Sequence, residues 1–392
     1  MIFQIIDNKK ECATVYYDGN FCDYSQALSL TKTWAPSEHE FGHSIEYAQI
    51  WCAGKSLMQM CPDDLKSRWT YLNNKANSFL KSFKIAKINL EHFCLFDVLP
   101  STFLQEFLEV KNQITQHVFQ SYEKPDNYDF LCDLIQFLKA LEAKDLNIDH
   151  NNLDFSSEAV RNSFAKIKNC NKKILYNPWK TVTGRLTTNK NSFPILTLNK
   201  ELRPILKPNN DLFVELDYNS AELRVMLFLL GQAQPKQDIH MWISQEVFQG
   251  KYTREQTKKK VFAWLYNPKA KNKKLNSHFD RDKILANYYV DGYVNTPFGR
   301  RIKADESKAV NYLIQSTTSD LLLKSAIEIS KKLKHKKSYV AFCIHDSLVI
   351  DFCKEDKHLI SDLTSLFSNT KLDNFSYNLS IGKNFGEMRS IQ

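Results

Sequence analysis

The sequence predicts an α+β fold in which helices back an antiparallel sheet carrying carboxylates at its strand ends. Three stretches support this. Leu212 to Asp217 is a strand-length apolar run, followed by a strongly apolar helix from Ala221 to Leu230. Tyr339 to Ile344 and Leu348 to Phe352 are two further runs that flank a polar step at His345 and Asp346, the pattern of a hairpin. Between Asp63 and about Lys144 the apolar residues recur instead at helix spacing.

Taken in order, residues 1–64 are mixed, with strand-like runs such as Cys12 to Tyr17, and carry no assignable role. The helical stretch that follows includes Phe103, Phe107, Val110, Ile114 and Phe119 on one face, with breaks at Leu99-Pro100 and Lys124-Pro125. Its first helices present Lys66, Arg68, Lys75, Lys81, Lys84 and Lys87. That face reads equally as a grip for a duplex backbone and as an ordinary solvated surface.

Composition bounds the function classes. The chain has 392 residues, 43% apolar and 25% charged, enough to bury a large core and too apolar for a disordered chain. Its 53 basic against 44 acidic side chains leave a formal charge of +9, which favours an anionic partner without establishing one. The nine cysteines, Cys12, Cys22, Cys52, Cys61, Cys94, Cys132, Cys170, Cys343 and Cys353, are odd in number and scattered, so neither a disulfide framework nor a zinc site is indicated and a reducing compartment fits. The longest apolar stretch, Val225 to Leu230, is far short of the roughly 20 residues that span a bilayer, so no membrane partner is expected. The first residues lack the ordered regions of a signal peptide.

Asp217 ends one predicted strand and Asp346 sits in the predicted turn, so both project into one cleft if the strands are neighbours. Such a pair can hold two Mg²⁺ ions about 3.5 to 4 Å apart, one activating an attacking hydroxyl and the other neutralising a leaving phosphate. Mg²⁺ suits the pair because it takes few protein ligands and fills its shell with water and phosphate. A single aspartate at a strand end is ordinarily a turn or cap residue, so the pair draws its weight from its surroundings.

One neighbouring helix supplies that weight. Thr253 and Gln256 have capping-box spacing and Pro268 is a stop, so the segment between them reads as one helix. Arg254, Lys258, Phe262 and Tyr266 recur every fourth residue and drift by only about 40° per step around it. Cations at the N-terminal end can bind a triphosphate, and rings a turn or two later can stack on a base and sugar. An amphipathic helix that buries Phe262 and Tyr266 in the core is the alternative.

These residues resemble the motifs of family A DNA polymerases, the DNA polymerase I-like enzymes. Leu216 to Arg224 is similar to the first catalytic motif, the helix after Thr253 to the second, and Ile344 to Ser347 to the third. Thr183 to Leu186, Gly299 to Arg301 and Asn311 to Gln315 match in the expected order. The resemblance implies a right-hand fold with an antiparallel-sheet palm, helical fingers and a helical thumb. Its implied divisions are a thumb-like part at 65–164, palm at 165–222 and 299–392, and fingers at 223–298.

The implied activity is template-directed addition of deoxynucleotides to a primer 3′-hydroxyl by a two-metal-ion mechanism. Asp217, Asp346 and the Tyr218 carbonyl would bind the metals, and Lys258 would protonate the pyrophosphate. Arg254 and Lys258 would hold the phosphates, with His240 nearby. Phe262 and Tyr266 would pack on the nascent base pair, and Glu222 would exclude a 2′-hydroxyl. Arg185, Asn311, Gln315 and His345 would contact the primer–template DNA, where minor-groove acceptors vary little among correct pairs. Ser347 stands where many relatives have a third carboxylate, and Ser220 where glutamine is frequent.

With little chain before the thumb and no Asp-x-Glu cluster in residues 1–64, no intrinsic 3′-5′ exonuclease is expected. The expected partners are primer–template DNA and dNTPs, with a separate exonuclease, helicase-primase or processivity factor possible, around a monomer. The expected setting is a phage or viral enzyme in the host cytoplasm, or a cytoplasmic repair polymerase. The competing readings are a single-subunit RNA polymerase-like nucleotidyltransferase, which has no need of Glu222, a two-metal nuclease, and a non-catalytic primer–template-binding protein.

Overall fold

A computed structural model of the chain describes residues 1–6, 14–23, 25, 29–37, 44–90, 92–153, 156–267, 270 and 272–391. The chain divides into two compact units, Met1–Cys132 and Asp133–Gln392.

In the first unit, strands β1 (Gln4–Ile5), β2 (Thr14–Tyr17) and β3 (Asn20–Asp23) form a small antiparallel sheet. Cys12, the expected start of β2, lies outside the described residues. Helices α1 (Lys66–Ile85) and α2 (Ser101–Ser121) follow, and α2 starts directly after Pro100 as the sequence predicts. Phe103, Val110 and Ile114 of α2 are buried with Trp69 and Leu72 of α1. Those two are the residues that α1 buries, so its five basic side chains, Lys66, Arg68, Lys75, Lys81 and Lys84, stand in solvent, as does Lys87 just beyond its end. Cys94 is disulfide-bonded, which the scattered spacing did not indicate, whereas Cys22, Cys52, Cys61, Cys132, Cys170, Cys343 and Cys353 form no disulfide. Helix α3 (Tyr128–Glu142) runs across the division between the units.

The second unit is built on an antiparallel sheet that has five strands among the described residues. Its central strand β4 (Leu212–Tyr218) leads through a tight turn into α4 (Ala221–Leu229), then α5 (Ile239–Glu246) and α6 (Arg254–Tyr266). A small three-stranded sheet, β5 (Tyr289–Val290), β6 (Tyr293–Asn295) and β7 (Arg301–Lys303), precedes the long helix α7 (Glu306–Lys332). The hairpin β8 (Tyr339–Ile344) and β9 (Ser347–Phe352), helix α8 (Ile360–Ser368), and strands β10 (Tyr377–Gly382) and β11 (Arg389–Ser390) complete it. The strand order is β8-β9-β4-β10-β11.

The three runs read as strands from sequence are therefore neighbours, and the α+β class holds. Strand β4 pairs with β9 from Leu212↔Phe352 to Asp217↔Ser347 and with β10 from Phe213↔Gly382 to Tyr218↔Tyr377. Strand β9 is buried along its whole length, as a strand covered on both faces must be. Helix α7 buries Leu313, Ile314, Leu321, Leu322, Leu323 and Ile327 and so is covered nearly all round, the mark of a helix inside a core. Strands β10 and β11 were not anticipated, because Tyr377–Gly382 buries only Leu379 and carries little apolar signal. Among the described residues, no helix is long and apolar enough to cross a membrane.

Candidate active site

The sheet register brings the two aspartates together. Asp217 pairs with Ser347, one residue from Asp346, and the Tyr218 amide donates to the Asp346 carbonyl at 3.4 Å. Tyr218 anchors this strand end. Its ring is buried, stacks on Phe367 at 4.0 Å, and its hydroxyl donates to the Phe367 carbonyl at 2.7 Å. Asp346 closes the two-residue hairpin beside exposed His345, whose φ of 51° is a left-handed conformation costly for a non-glycine residue. Asp217 accepts a hydrogen bond from Asn378 of the neighbouring strand at 3.3 Å.

Both carboxyls are pushed up. Burial raises Asp217 to about 6 against the Asn378 hydrogen bond, and the charges of Glu215 and Asp346 add to the rise while Lys258 opposes it. Burial also raises Asp346, with Arg185 and His345 pulling the other way. The folded chain thus holds the Asp217 proton more tightly than the unfolded chain, where the carboxyl titrates near 3.8. Its ionisation costs stability as the pH climbs from 3.8 through about 6, and the full cost stays above that. Asp217→Asn is expected to stabilise the metal-free protein at pH 8 by about 1 to 3 kcal/mol. Calorimetry should find the gain shrinking toward zero at pH 4, and an equal gain at both pH values would contradict an origin in the buried charge.

The cationic and aromatic face of α6 forms as its spacing predicts. The Thr253 hydroxyl accepts from the Gln256 amide and the Gln256 side chain accepts from the Thr253 amide, a complete capping box, and α6 ends at Tyr266. Pro268, the expected stop, lies outside the described residues. Thr257, Val261, Trp264 and Leu265 take the buried side, so Phe262 is only partly buried and Tyr266 is 49% exposed. The alternative that buries both rings in the core does not describe this helix. Phe262 and Tyr266 stack in parallel at 5.9 Å, and the Lys258 ammonium lies 5.8 Å from the Phe262 ring.

Arg254 donates to Asp238 and to Glu255, both at 2.8 Å. Asp238 also caps α5 by accepting from the amides of His240 and Met241. Burial would raise Asp238, but Arg254 and the Met241 amide outweigh it and hold the carboxyl at about 2. His240 is 1% exposed, hydrogen-bonds Ser220 Oγ through Nε2 at 3.0 Å, and meets the Phe262 ring at 5.8 Å. Burial lowers its pKa, and its Nδ1 has no protein partner.

Glu222 joins the two sides. Its Oε2 accepts from the Tyr266 hydroxyl at 2.6 Å and its Oε1 from the Arg185 guanidinium. Burial raises this carboxyl while Tyr266 and Arg185 oppose the rise. Arg185, Glu222, Tyr266, His345 and Asp346 line one cavity of about 450 Å³ together with Thr318 and Ser319 of α7. Asn311 and Gln315 lie on the same helix about two turns and one turn before Ser319, on a partly exposed stripe.

This donor set suits Mg²⁺ better than a softer metal. Among the described residues, no three His, Cys, Asp or Glu side chains gather closely enough to form a protein cage. Two carboxylates and a carbonyl fit an ion that leaves much of its shell to water and substrate.

Comparison with known proteins finds similarity to two curated DNA polymerase I sequences. DNA polymerase I of Chloroflexus aurantiacus is 24% identical over 272 residues, 55% of this chain, and that of Borreliella burgdorferi is 23% identical over 266 residues, 53% of the chain. This chain is similar to DNA polymerase I over about half of its length. It spans 29% of the length of either polymerase I relative. No family model matches it. Among solved structures, the POL domain of Pol1 from M. smegmatis, in complex with DNA primer-template and dNTP, aligns with a TM-score of 0.43 and 15% identity over 74% of this chain and 55% of that one.

Several residues of this site were not found from sequence. Glu215 lies two positions before Asp217 on the same side of β4 and accepts from Ser347 Oγ at 3.0 Å. It places a further carboxylate, from the neighbouring strand, beside Ser347. Arg224 is fully buried and donates to the carbonyls of Asn219, Pro235 and Gln237, tying the turn after β4 to the segment before α5. Asp238 was legible as a helix cap before an apolar run, but its pairing with Arg254 was not.

Proposed function

We propose that this chain is a template-directed DNA polymerase, joining a primer 3′-hydroxyl to the α-phosphate of a deoxynucleoside triphosphate and releasing pyrophosphate. The observation that carries the reading is the meeting of two carboxylates raised by burial, Asp217 and Asp346, with the partly exposed Arg254–Lys258–Phe262–Tyr266 face across Glu222. A nuclease has use for the carboxylates but not for this face.

In this reading Asp217, Asp346 and the Tyr218 carbonyl would hold two Mg²⁺, which would supply activation of the hydroxyl and charge neutralisation at the phosphates. The protein supplies position and charge. Arg254 and Lys258 take the β and γ phosphates, so the triphosphate competes with Asp238 and Glu255 for the Arg254 guanidinium. Lys258 delivers a proton to pyrophosphate. Phe262 and Tyr266 pack on the nascent base pair, His240 and its Ser220 partner support the phosphate side, and Arg185, Asn311, Gln315 and His345 contact primer–template DNA. Residues 223–298 serve as fingers, 165–222 and 299–392 as palm, and 65–164 as thumb.

Extension of a labelled primer on a long DNA template with Mg²⁺ tests the proposal. Incorporation of all four deoxynucleotides supports it, and primers of unchanged length reject it. Omitting the nucleotides tests the expectation that the chain does not shorten primers. Phe262→Tyr is expected to increase dideoxynucleotide incorporation, because a hydroxyl there can stand in for the missing 3′-hydroxyl of the terminator. Competition between terminator and natural nucleotide measures it.

A further inference from the structure

We infer that the buried Arg300–Asp320 ion pair positions Arg185, holding the Thr181 to Arg185 loop against α7 so that this guanidinium meets Glu222 and the cavity; the inference rests on the polymerase reading above. Asp320 is 0% exposed inside α7, and Arg300 engages it through two parallel bonds, Nε to Oδ2 at 3.0 Å and Nη2 to Oδ1 at 2.7 Å. Such a fork fixes the guanidinium plane as well as its charge. Breaking one partner of a buried pair leaves an uncompensated charge, so Arg300 is not free to swing away.

The loop lies directly on that guanidinium. Gly184 has φ +72°, and a Cβ built there would sit 2.5 Å from Arg300 Nη2 and 2.6 Å from its central carbon. A long flexible arginine could normally yield to a methyl group, but this one is tied at Nε and Nη2. Gly184 is therefore needed both for its left-handed backbone and for the absent side chain. Two more bonds complete the attachment. Ser319, the neighbour of Asp320, donates from Oγ to the Gly184 carbonyl at 3.1 Å, and Thr181 Oγ1 donates to the Arg185 carbonyl at 2.8 Å. The next side chain along the chain is Arg185, bonded to Glu222, which in turn holds Tyr266. A connected path thus runs from a buried carboxylate in α7 to the face of α6, and neither Arg300 nor Asp320 touches the cavity itself.

The test is a double-mutant cycle on single-nucleotide extension, scored for matched and mismatched primer ends, in Gly184→Ala, Arg300→Lys and Arg185→Ala proteins. Gly184→Ala is expected to slow matched extension by about tenfold, with nucleotide KM and primer–template affinity altered much less than kcat. Its effect should fall below about twofold when Arg185 is already alanine. Multiplying effects, or an unchanged Gly184→Ala rate, would overturn the inference while leaving the polymerase reading intact. If the wild-type chain extends no primer, that reading fails instead, and hydrogen exchange still decides the latch. Amides of residues 181–186 should exchange faster in Gly184→Ala and Arg300→Lys than in wild type, with the strands of the central sheet unchanged, and equal protection would overturn it. Arg300→Lys keeps the charge opposite Asp320, so it serves should a neutral substitution fail to fold.

Discussion

Asp217→Ala or Asp346→Ala is expected to lower single-turnover primer extension by at least about 10³-fold while primer–template affinity stays within about threefold. The reason lies in the cost these groups carry. Burial holds both carboxyls above their ordinary range, with the charge of Asp346 adding to the rise at Asp217, a penalty that folding alone gives no reason to keep. Their charge is useful only to something positive that arrives later. Neither side chain belongs to the stripe of α7 expected to contact duplex, so removing one should disturb chemistry and not DNA binding. Fluorescence anisotropy with a labelled primer–template, run beside rapid quench, separates the two quantities. Near-normal synthesis in both variants would refute the assignment.

Glu222→Ala is expected to have the second largest effect and to act in two directions. Losing the side chain opens space beside the sugar, so discrimination against ribonucleotides should fall by about 10²-fold. The same change strands Arg185 and Tyr266, whose partners are the two oxygens of this one carboxylate, so deoxynucleotide incorporation should also fall, by about tenfold. Glu222→Gln separates the roles. It keeps the volume and so the sugar selectivity, but weakens the bond to Arg185. Incorporation kinetics with paired dNTP and rNTP at one template position measure both, and unchanged sugar selectivity in the alanine variant would remove Glu222 from the gate.

The parts of this site that could be read from sequence are those whose signal is local. Asp217 follows an apolar strand, Asp346 sits between two of them, and the spacing of Arg254, Lys258, Phe262 and Tyr266 sets one helical face regardless of what it packs on. The capping box of α6 likewise lies within four residues. What stayed hidden depends on pairing between distant segments. Glu215 meets Ser347 across 132 positions, and Arg254 meets Asp238 across 16. Arg300 and Asp320 are 20 apart, on a loop and a helix that share no periodicity. Strand β10 escaped notice because its polar, largely uncovered residues do not alternate strongly enough to mark a strand. The division at Cys132 also has no compositional mark, since it falls inside α3.

The polymerase activity proposed for this chain requires Asp217 and Asp346 to hold paired divalent ions opposite the nucleotide-binding face. Mn²⁺ titration followed by electron paramagnetic resonance, on the protein with a dideoxy-terminated primer–template and the next dNTP, measures this directly. The expected result is two Mn²⁺ per chain with spin coupling between them, both lost in Asp217→Ala and in Asp346→Ala. Uncoupled or absent Mn²⁺ in the wild-type complex, or binding that survives both substitutions, would contradict it.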